Sequence, residues 1–330
     1  MKLHAHYLLS SVVFSILTVG LLSSAAHAQQ IWFSPGDDLE VNGVVAHPDF
    51  MRLFDSPSPW PTGLGHVNVM QLRAPWFLRM PLETDQVVVS LLTQHNIALA
   101  VPLGFVSSDT CGQGVEGIGS ARQQNVYPRE MKKRGIQLDY VVMDEPLYYG
   151  HDYGGKNACQ FSISQVVASV VENVKMIRSY YPNVRFVWVE PPQALTVGPR
   201  EIAEFLDDYK ASLGEYPVSV RFDIAWGRVD KWTREWRADL PGHIRILKAR
   251  GIGYGIIYNA GRVNGRLPNT DQDWISSAKG NVADWKRTIA DTPNQVIIQT
   301  WTANPVRIVP ESDPSTMTGY LKWFIERGSK

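Results

Sequence analysis

From about residue 30 onward the chain alternates between short apolar runs of strand composition and longer stretches whose apolar residues recur at helical spacing. Eight runs read as strands: Ile31 to Ser34, Val67 to Leu72, Ile97 to Leu103, Leu138 to Met143, Val184 to Val189, Val218 to Ile224, Tyr254 to Tyr258 and Gln295 to Thr300. Helical patterns fill most intervals, over Glu83 to His95, Ala121 to Arg134, Ser164 to Tyr180, Pro199 to Ser212, Trp232 to Arg250, Asp271 to Ala290 and Pro314 to Arg327. The clearest is the third, where Val166, Val167, Val170, Val171, Val174, Ile177 and Tyr181 share a face behind a serine cap and Pro182 stops the helix. Gly135 and Gly251 directly follow two of these helices, as C-terminal caps do.

Strand and helix in alternation, repeated to a count of eight, predict an α/β chain folded as a single-domain (β/α)8 TIM barrel. An open doubly wound sheet has fewer strands and a glycine-rich first turn, and no Gly-x-Gly-x-x-Gly follows the first run here. The irregular part is Gly36 to Gly65, proline-rich and without a helical pattern. Long loops of this kind are functional or mark a departure from the ideal fold.

The first 28 residues change the picture of where the chain works. Lys2, an apolar run from Tyr7 to Leu22 and the small-residue ending Ala26-His27-Ala28 have the layout of an export signal. That run is shorter than the roughly 20 apolar residues of a membrane span. The expectation is a secreted or periplasmic protein whose mature domain covers 29–330, with no membrane attachment after cleavage. Cys111 and Cys159 are the only cysteines and are expected to pair in that oxidising setting, tying together the loops after two consecutive strands. Lys plus Arg, 32, equals Asp plus Glu, 32, so no net field draws the chain to nucleic acid or anionic lipid. A neutral or weakly charged partner fits better.

Candidate chemistry sits at the carboxyl ends of the predicted strands, the face on which barrels of this kind build their sites. The stretch Leu138 to Leu147 delivers Asp144 and Glu145 from a buried apolar run and stops at Pro146. Glu190 and Asp223 end or follow the next two strands, and these four are the candidate catalytic groups. Asp37, Asp38, Arg73, Glu116, Trp188, Trp226, Tyr258, Asn259, Gln299 and Trp301 are the candidate substrate contacts. Acids at strand ends also serve as caps and turn residues, the competing reading for Asp37, Asp38 and Glu116. Trp32, Trp60, Trp76, Tyr148 and Tyr149 join the aromatic residues at or beyond strand ends, where flat faces stack on sugar rings or simply pack the core. Glycoside cleavage needs a proton donor and a second carboxylate. Burial beside Asp144 and under aromatic residues makes Glu145 the donor, with Asp144, more buried against the barrel, orienting it or staying ionised.

Asp144-Glu145-Pro146 after an apolar strand resembles the Asn-Glu-Pro signature of the large clan of retaining (β/α)8 glycoside hydrolases, in which the strand-four Glu is the general acid/base. Trp301 is similar to the aromatic residue that floors the sugar site in that clan. The resemblance covers a tripeptide and the strand order, and it implies an oligo- or polysaccharide substrate. It fails at strand seven: the clan's nucleophilic Glu is replaced by Asn259. Glu190 or Asp223 then supplies the second carboxylate, or the substrate supplies its own nucleophile. Asp144 and Glu145 with Tyr258 are similar to the pair of substrate-assisted N-acetylhexosaminidases.

Two other classes stay open on sequence: a carbohydrate-binding barrel without catalysis, and a hydrolase or lyase with its acids around calcium or magnesium. His47, His66, His95, His151 and His243 show no ligand spacing such as His-Glu-x-x-His, and no Gly-x-Ser-x-Gly elbow or phosphate loop occurs, so neither a metal nor another cofactor is expected.

Overall fold

All eight apolar runs become strands of one closed barrel in the computed structural model, in which every neighbouring pair is parallel. The structure describes residues 29–329 except 42, 197, 227–230, 262–265, 267 and 290, and the backbone alone for 41 and 231–236; the expected export signal lies outside the described residues. The barrel strands are β1 (Gln30–Ser34), β2 (Val69–Gln71), β3 (Ala98–Leu103), β4 (Tyr140–Asp144), β5 (Arg185–Glu190), β6 (Ser219–Phe222), β7 (Gly253–Tyr258) and β8 (Gln295–Gln299). Strands adjacent in sequence are adjacent in space, and β8 closes on β1 with Trp32 opposite Ile297.

The principal helices wrap this barrel: α1 (Leu82–Gln94), α2 (Ala121–Lys133), α3 (Ile163–Tyr180), α4 (Pro199–Leu213), α5 (Lys231–Ala249), α6 (Asp271–Thr288) and α7 (Met317–Trp323). Ser120 with Gln123 and Ser162 with Gln165 form complete capping boxes at the starts of α2 and α3, satisfying backbone N–H groups that a helix start leaves open. The predicted valine face of α3 is the buried one. Among the described residues no helix is long and apolar enough to cross a membrane.

Because side chains alternate along a strand, each strand has an inner and an outer set. Trp32, Val69, Ala100, Tyr140, Val142, Val187, Val189, Ile257 and Ile297 pack together inside the barrel. Phe33, Met70, Met143, Phe186, Trp188, Phe222, Tyr258 and Ile298 belong to the larger core between barrel and helices. This parity decides which strand-end residues can reach a site above the barrel. It places Asp144 in register with Tyr140 and Val142 on the inside, and Glu190 in register with Phe186 and Trp188 on the outside.

The stretch Gly36 to Gly65 contains more order than its sequence shows. A two-stranded ribbon pairs Glu40–Val41 with Val44–Val45, a 3-10 turn covers Phe50–Phe54, and a single helical turn covers Pro61–Leu64. These pieces are too short for a period; the two turns are held by Phe50 packing on Trp76, Trp60 packing on Phe33, and the Trp60 indole N–H donating to the Leu53 carbonyl at 2.8 Å. Cys111 and Cys159 are bonded, with Cα atoms 5.2 Å apart, joining the loops after β3 and β4 as expected.

Candidate active site

A cleft in two lobes opens over the carboxyl ends of the strands. The first lobe has a volume of about 520 Å³ and is lined by Glu116, Asp144, Glu145 and Asp223 together with Tyr148, Tyr149, Trp226, Asn259, Gln299 and Trp301. The second, of about 440 Å³, shares Glu116, Asp144, Asp223, Gln299 and Trp301 and extends over Asp37, Arg73, Gln71 and Arg221. Trp226 is buried and its indole N–H donates to the Ile257 carbonyl at 2.9 Å, whereas Trp301 stands 58% exposed at the lip.

The acidic doublet is built by a strained turn. Asp144 is the last residue of β4, and Glu145 has φ +46°, a left-handed backbone conformation that a side chain disfavours. By strand parity Glu145 would point outward with Met143, yet in this turn it lines the cleft. Gly117, itself at φ +69°, lets the preceding loop close over the turn: a Cβ there would stand 2.6 Å from the Asp144 carbonyl oxygen.

Burial order is the reverse of the expectation: Glu145 is 9% exposed, while Asp144 keeps more of its surface open to the cleft. Confinement among protein atoms, then Glu116 and Asp223, pushes the Asp144 carboxyl up to about 7. Asp223 is pushed up to about 7 by burial and by Glu116, against the pull of the Asn259 amide, whose Nδ2 lies 3.5 Å from Oδ1. Glu145 rises well above the usual carboxylate range, first from burial and then from Asp223, the most strongly acting of its acidic neighbours. These values belong to the cluster, since ionising one member raises the others. The result is a site in which Asp144 and Asp223 are each only partly ionised at neutral pH.

Several candidates lie elsewhere. Glu190 is fully buried on the outside of β5 and does not line the cleft. It accepts from the backbone N–H of Leu147 at 2.7 Å, that of Tyr148 at 3.0 Å and the Trp188 indole at 2.6 Å. Burial lifts it to about 8 although the three donors oppose this. It is therefore a positioning residue, pinning the backbone just after Glu145, and not a second carboxylate of the cleft. Trp188 stacks on Phe205 at 4.2 Å beneath the helices, and Tyr258 stacks on Trp226 from behind and packs against Phe324. Outward parity removes both from the substrate contacts. Asp38 is absent from the lining of either lobe and accepts from the Trp76 indole at 2.8 Å. Trp32, Trp60 and Trp76 are core residues.

The other candidates do meet. Glu116 accepts from the Tyr149 hydroxyl at 2.8 Å; burial first, and then this bond, raises the phenol above its ordinary range. Asp37 is buried and forms a two-point pair with Arg73. Asn259, the residue after β7, and Gln299, the last of β8, fall in step with the inward Ile257 and Ile297 and line the first lobe. Residues absent from the sequence reading are Gln193, Gln71 and Arg221. Arg221 carried a signal, a cation in the middle of an apolar strand. His151, Asp152 and Glu201 bring possible ligand atoms within 4.8 Å of one another, the one such group among the described residues. They lie outside the cleft lining, behind the turn that follows Glu145, where His151 Nδ1 donates to the Phe161 carbonyl.

No protein-family model matches the chain, and no curated protein matches its sequence. Solved structures do match in fold. A psychrophilic glycoside hydrolase family 10 endo-β-1,4-xylanase superposes with a TM-score of 0.53 at 10% identity, over 89% of this chain and 96% of its own. A family 10 endoxylanase from a sugarcane soil metagenome gives 0.50 at 11% identity, over 91% and 97%. At such identity the likeness is one of fold, and it agrees with the closed eight-stranded barrel.

Proposed function

We propose that this protein hydrolyses O-glycosidic bonds of an oligo- or polysaccharide, with Glu145 as the proton donor. The observation that carries the reading is Glu145 itself, held by a strained turn, nearly buried, its proton affinity raised well above the usual carboxylate range by burial and by Asp223, and lining an aromatic-flanked cleft together with further acids. A protonated carboxyl at the scissile bond transfers its proton to the departing oxygen. Asp223 is the second carboxylate in this reading. It sits at the inward register of strand six, lines both lobes and acts on Glu145 more strongly than any other acid. It attacks the anomeric carbon or takes a proton from water, and Asn259, in place of the clan's nucleophilic Glu, donates to it. Asp144 and Glu116 keep the cluster's proton affinity high. Trp301, exposed at the lip, offers apolar surface for sugar rings. The structural neighbours named as xylanases are consistent with this class of reaction. Export to the periplasm or medium, read from residues 1–28, belongs to the same proposal, since extracellular glycans are met there.

The substrate-assisted alternative loses its tyrosine, because Tyr258 faces away from the cleft. A glycan library incubated with the wild type and with Glu145→Gln tests the main reading. The expected result is cleavage by the wild type and a loss of about 10²- to 10⁴-fold in turnover for the folded variant, whose amide cannot donate the proton. NMR of the fresh product then shows whether the anomer is retained or inverted. Wild-type rates in Glu145→Gln remove the residue from the mechanism, and a library left wholly uncut by the wild type overturns the hydrolase reading.

A further inference from the structure

The acids of the cleft have no cation to answer them. Glu116, Asp144 and Asp223 line both lobes and Glu145 lines the first, and among the described residues none of the four forms an ion pair. The two arginines of the second lobe are engaged or sealed: Arg73 is paired with Asp37, and Arg221 is 1% exposed and donates to Gln71 and Gln295. Each ionisable group that acts on Asp144 or Glu145 is another acid. Donors beside them are already taken. The Tyr149 hydroxyl donates to Glu116 at 2.8 Å, the Gln193 amide to the Asp223 carbonyl at 3.2 Å, and the Trp226 indole to the Ile257 carbonyl at 2.9 Å. Acceptors remain open. Glu145, only 9% exposed, and Asp144 have no hydrogen-bond partner on their carboxyl oxygens, and those oxygens keep surface toward the cleft.

A ligand that suits such walls brings donors and positive charge. A bare metal ion fits the charge but not the geometry. Calcium or magnesium gathers several oxygens at about 2.0–2.6 Å, hence within about 5 Å of one another. Among the described residues the one group of three ligand side chains with atoms within 4.8 Å is His151, Asp152 and Glu201, outside the cleft lining. The cleft acids are thus close enough to raise one another's proton affinity, yet too spread for three of them to share an ion. An ammonium carried on a sugar ring meets both conditions. It presents three N–H donors to separated carboxylates, and its ring offers an apolar face to Trp301, 58% exposed at the lip. Glu116, exposed at the mouth, meets the incoming charge first.

We propose that the junction of the two lobes takes the ammonium of an amino sugar, held between Asp144 and Glu116, so that the glycan is one that contains hexosamine with its amino group free. This rests on the hydrolase reading only for the word substrate; the recognition itself is a binding event. Calorimetric titration of the full chain at about pH 6.5 and low ionic strength tests it, with oligomers of glucosamine and galactosamine beside their N-acetylated forms and beside tri-lysine. At least one amino oligomer binds about tenfold or more tightly than its acetylated form, as a charge-assisted contact implies, and the ratio falls as salt is added. Asp144→Asn and Glu116→Gln each lower that ratio toward one. Glu116→Gln lies at an exposed position and keeps an acceptor for Tyr149, so it reads the contact even should Asp144→Asn fail to fold. Equal binding of amino and acetylated oligomers by the wild type overturns the proposal. So does a ratio that survives Glu116→Gln and any folded Asp144→Asn, and so does tri-lysine binding as tightly as the amino sugars, which would reduce the cleft to an unspecific acidic surface. Cleavage of neutral glycans with no preference for amino sugars sinks this inference alone. Tight amino-sugar binding with no cleavage of any glycan supports it and counts against hydrolysis.

Discussion

Glu190 illustrates how one side chain can matter to a site it never enters. Its two oxygens accept from three donors in the interior, two of them backbone N–H groups immediately after the Glu145-Pro146 turn. Glu190→Ala leaves all three donors without a partner in a fully buried place, and unmet buried donors cost about 1–3 kcal/mol each before any water enters. The expected loss in urea unfolding is about 3–5 kcal/mol, with a smaller loss for Glu190→Gln, which keeps one acceptor and the shape. Unchanged stability in Glu190→Ala would mean that the turn is held by something else. Parity was available in the sequence and distinguishes Glu190 from Asp223: counting by twos from the inward Val187 and Val189 leaves Glu190 outside, whereas Asp223 falls in step with Ser219 and Arg221. What no counting reveals is the left-handed Glu145, which breaks the alternation and aims the acid into the cleft.

At the scale of elements, the loop after β3 is what closes the site around the doublet. It brings Glu116 to the cleft, is bonded through Cys111 to the loop after β4, and lays Gly117 against the Asp144 carbonyl. Gly117→Ala places a methyl group 2.6 Å from that oxygen and asks alanine to adopt φ +69°. The strain costs about 1–3 kcal/mol and is relieved by moving the loop or the turn, so turnover falls together with the melting temperature. A variant with wild-type activity and melting temperature would show that the contact does not constrain the turn. Strand and helix spans were legible to within a residue or two, because each carries its own period and caps, except the last helix, read over Pro314 to Arg327 and found over Met317–Trp323. The Gly36 to Gly65 stretch was not legible, since its ribbon and turns are shorter than any period and the turns at Phe50 and Trp60 are held by aromatic contacts with distant segments.

For the whole molecule, the cluster of confined acids makes stability depend on pH in a direction opposite to that of a salt-bridged carboxylate. Asp144 and Asp223 titrate near 7 in the folded chain and near their ordinary values when unfolded. Between about pH 4 and 7 the folded state therefore binds more protons than the unfolded state, and these groups subtract stability as pH rises through that window. Below pH 4 both states are protonated and the penalty is absent. Asp223→Asn removes one such group, so calorimetry is expected to find the variant more stable than the wild type at pH 8, by on the order of 1–3 kcal/mol, with the gap closing toward pH 4. A gap of equal size at both pH values would show that the cluster carries no such penalty.

The order of strands and helices, the barrel closure, the disulfide partners and the placing of acids on one face follow from local pattern, because periodicity, caps and chain order act within a few residues of each other. The tertiary structure alone decided which acids share the cleft, that Glu190, Trp188 and Tyr258 turn away from it, and that Arg221 is buried beneath its second lobe. Those outcomes depend on barrel register, on one left-handed residue and on groups brought together from strands far apart in the chain, as Arg221 and Gln71, 150 positions apart, are. Burial and mutual repulsion, which set the protonation of the site, exist only once that assembly has formed.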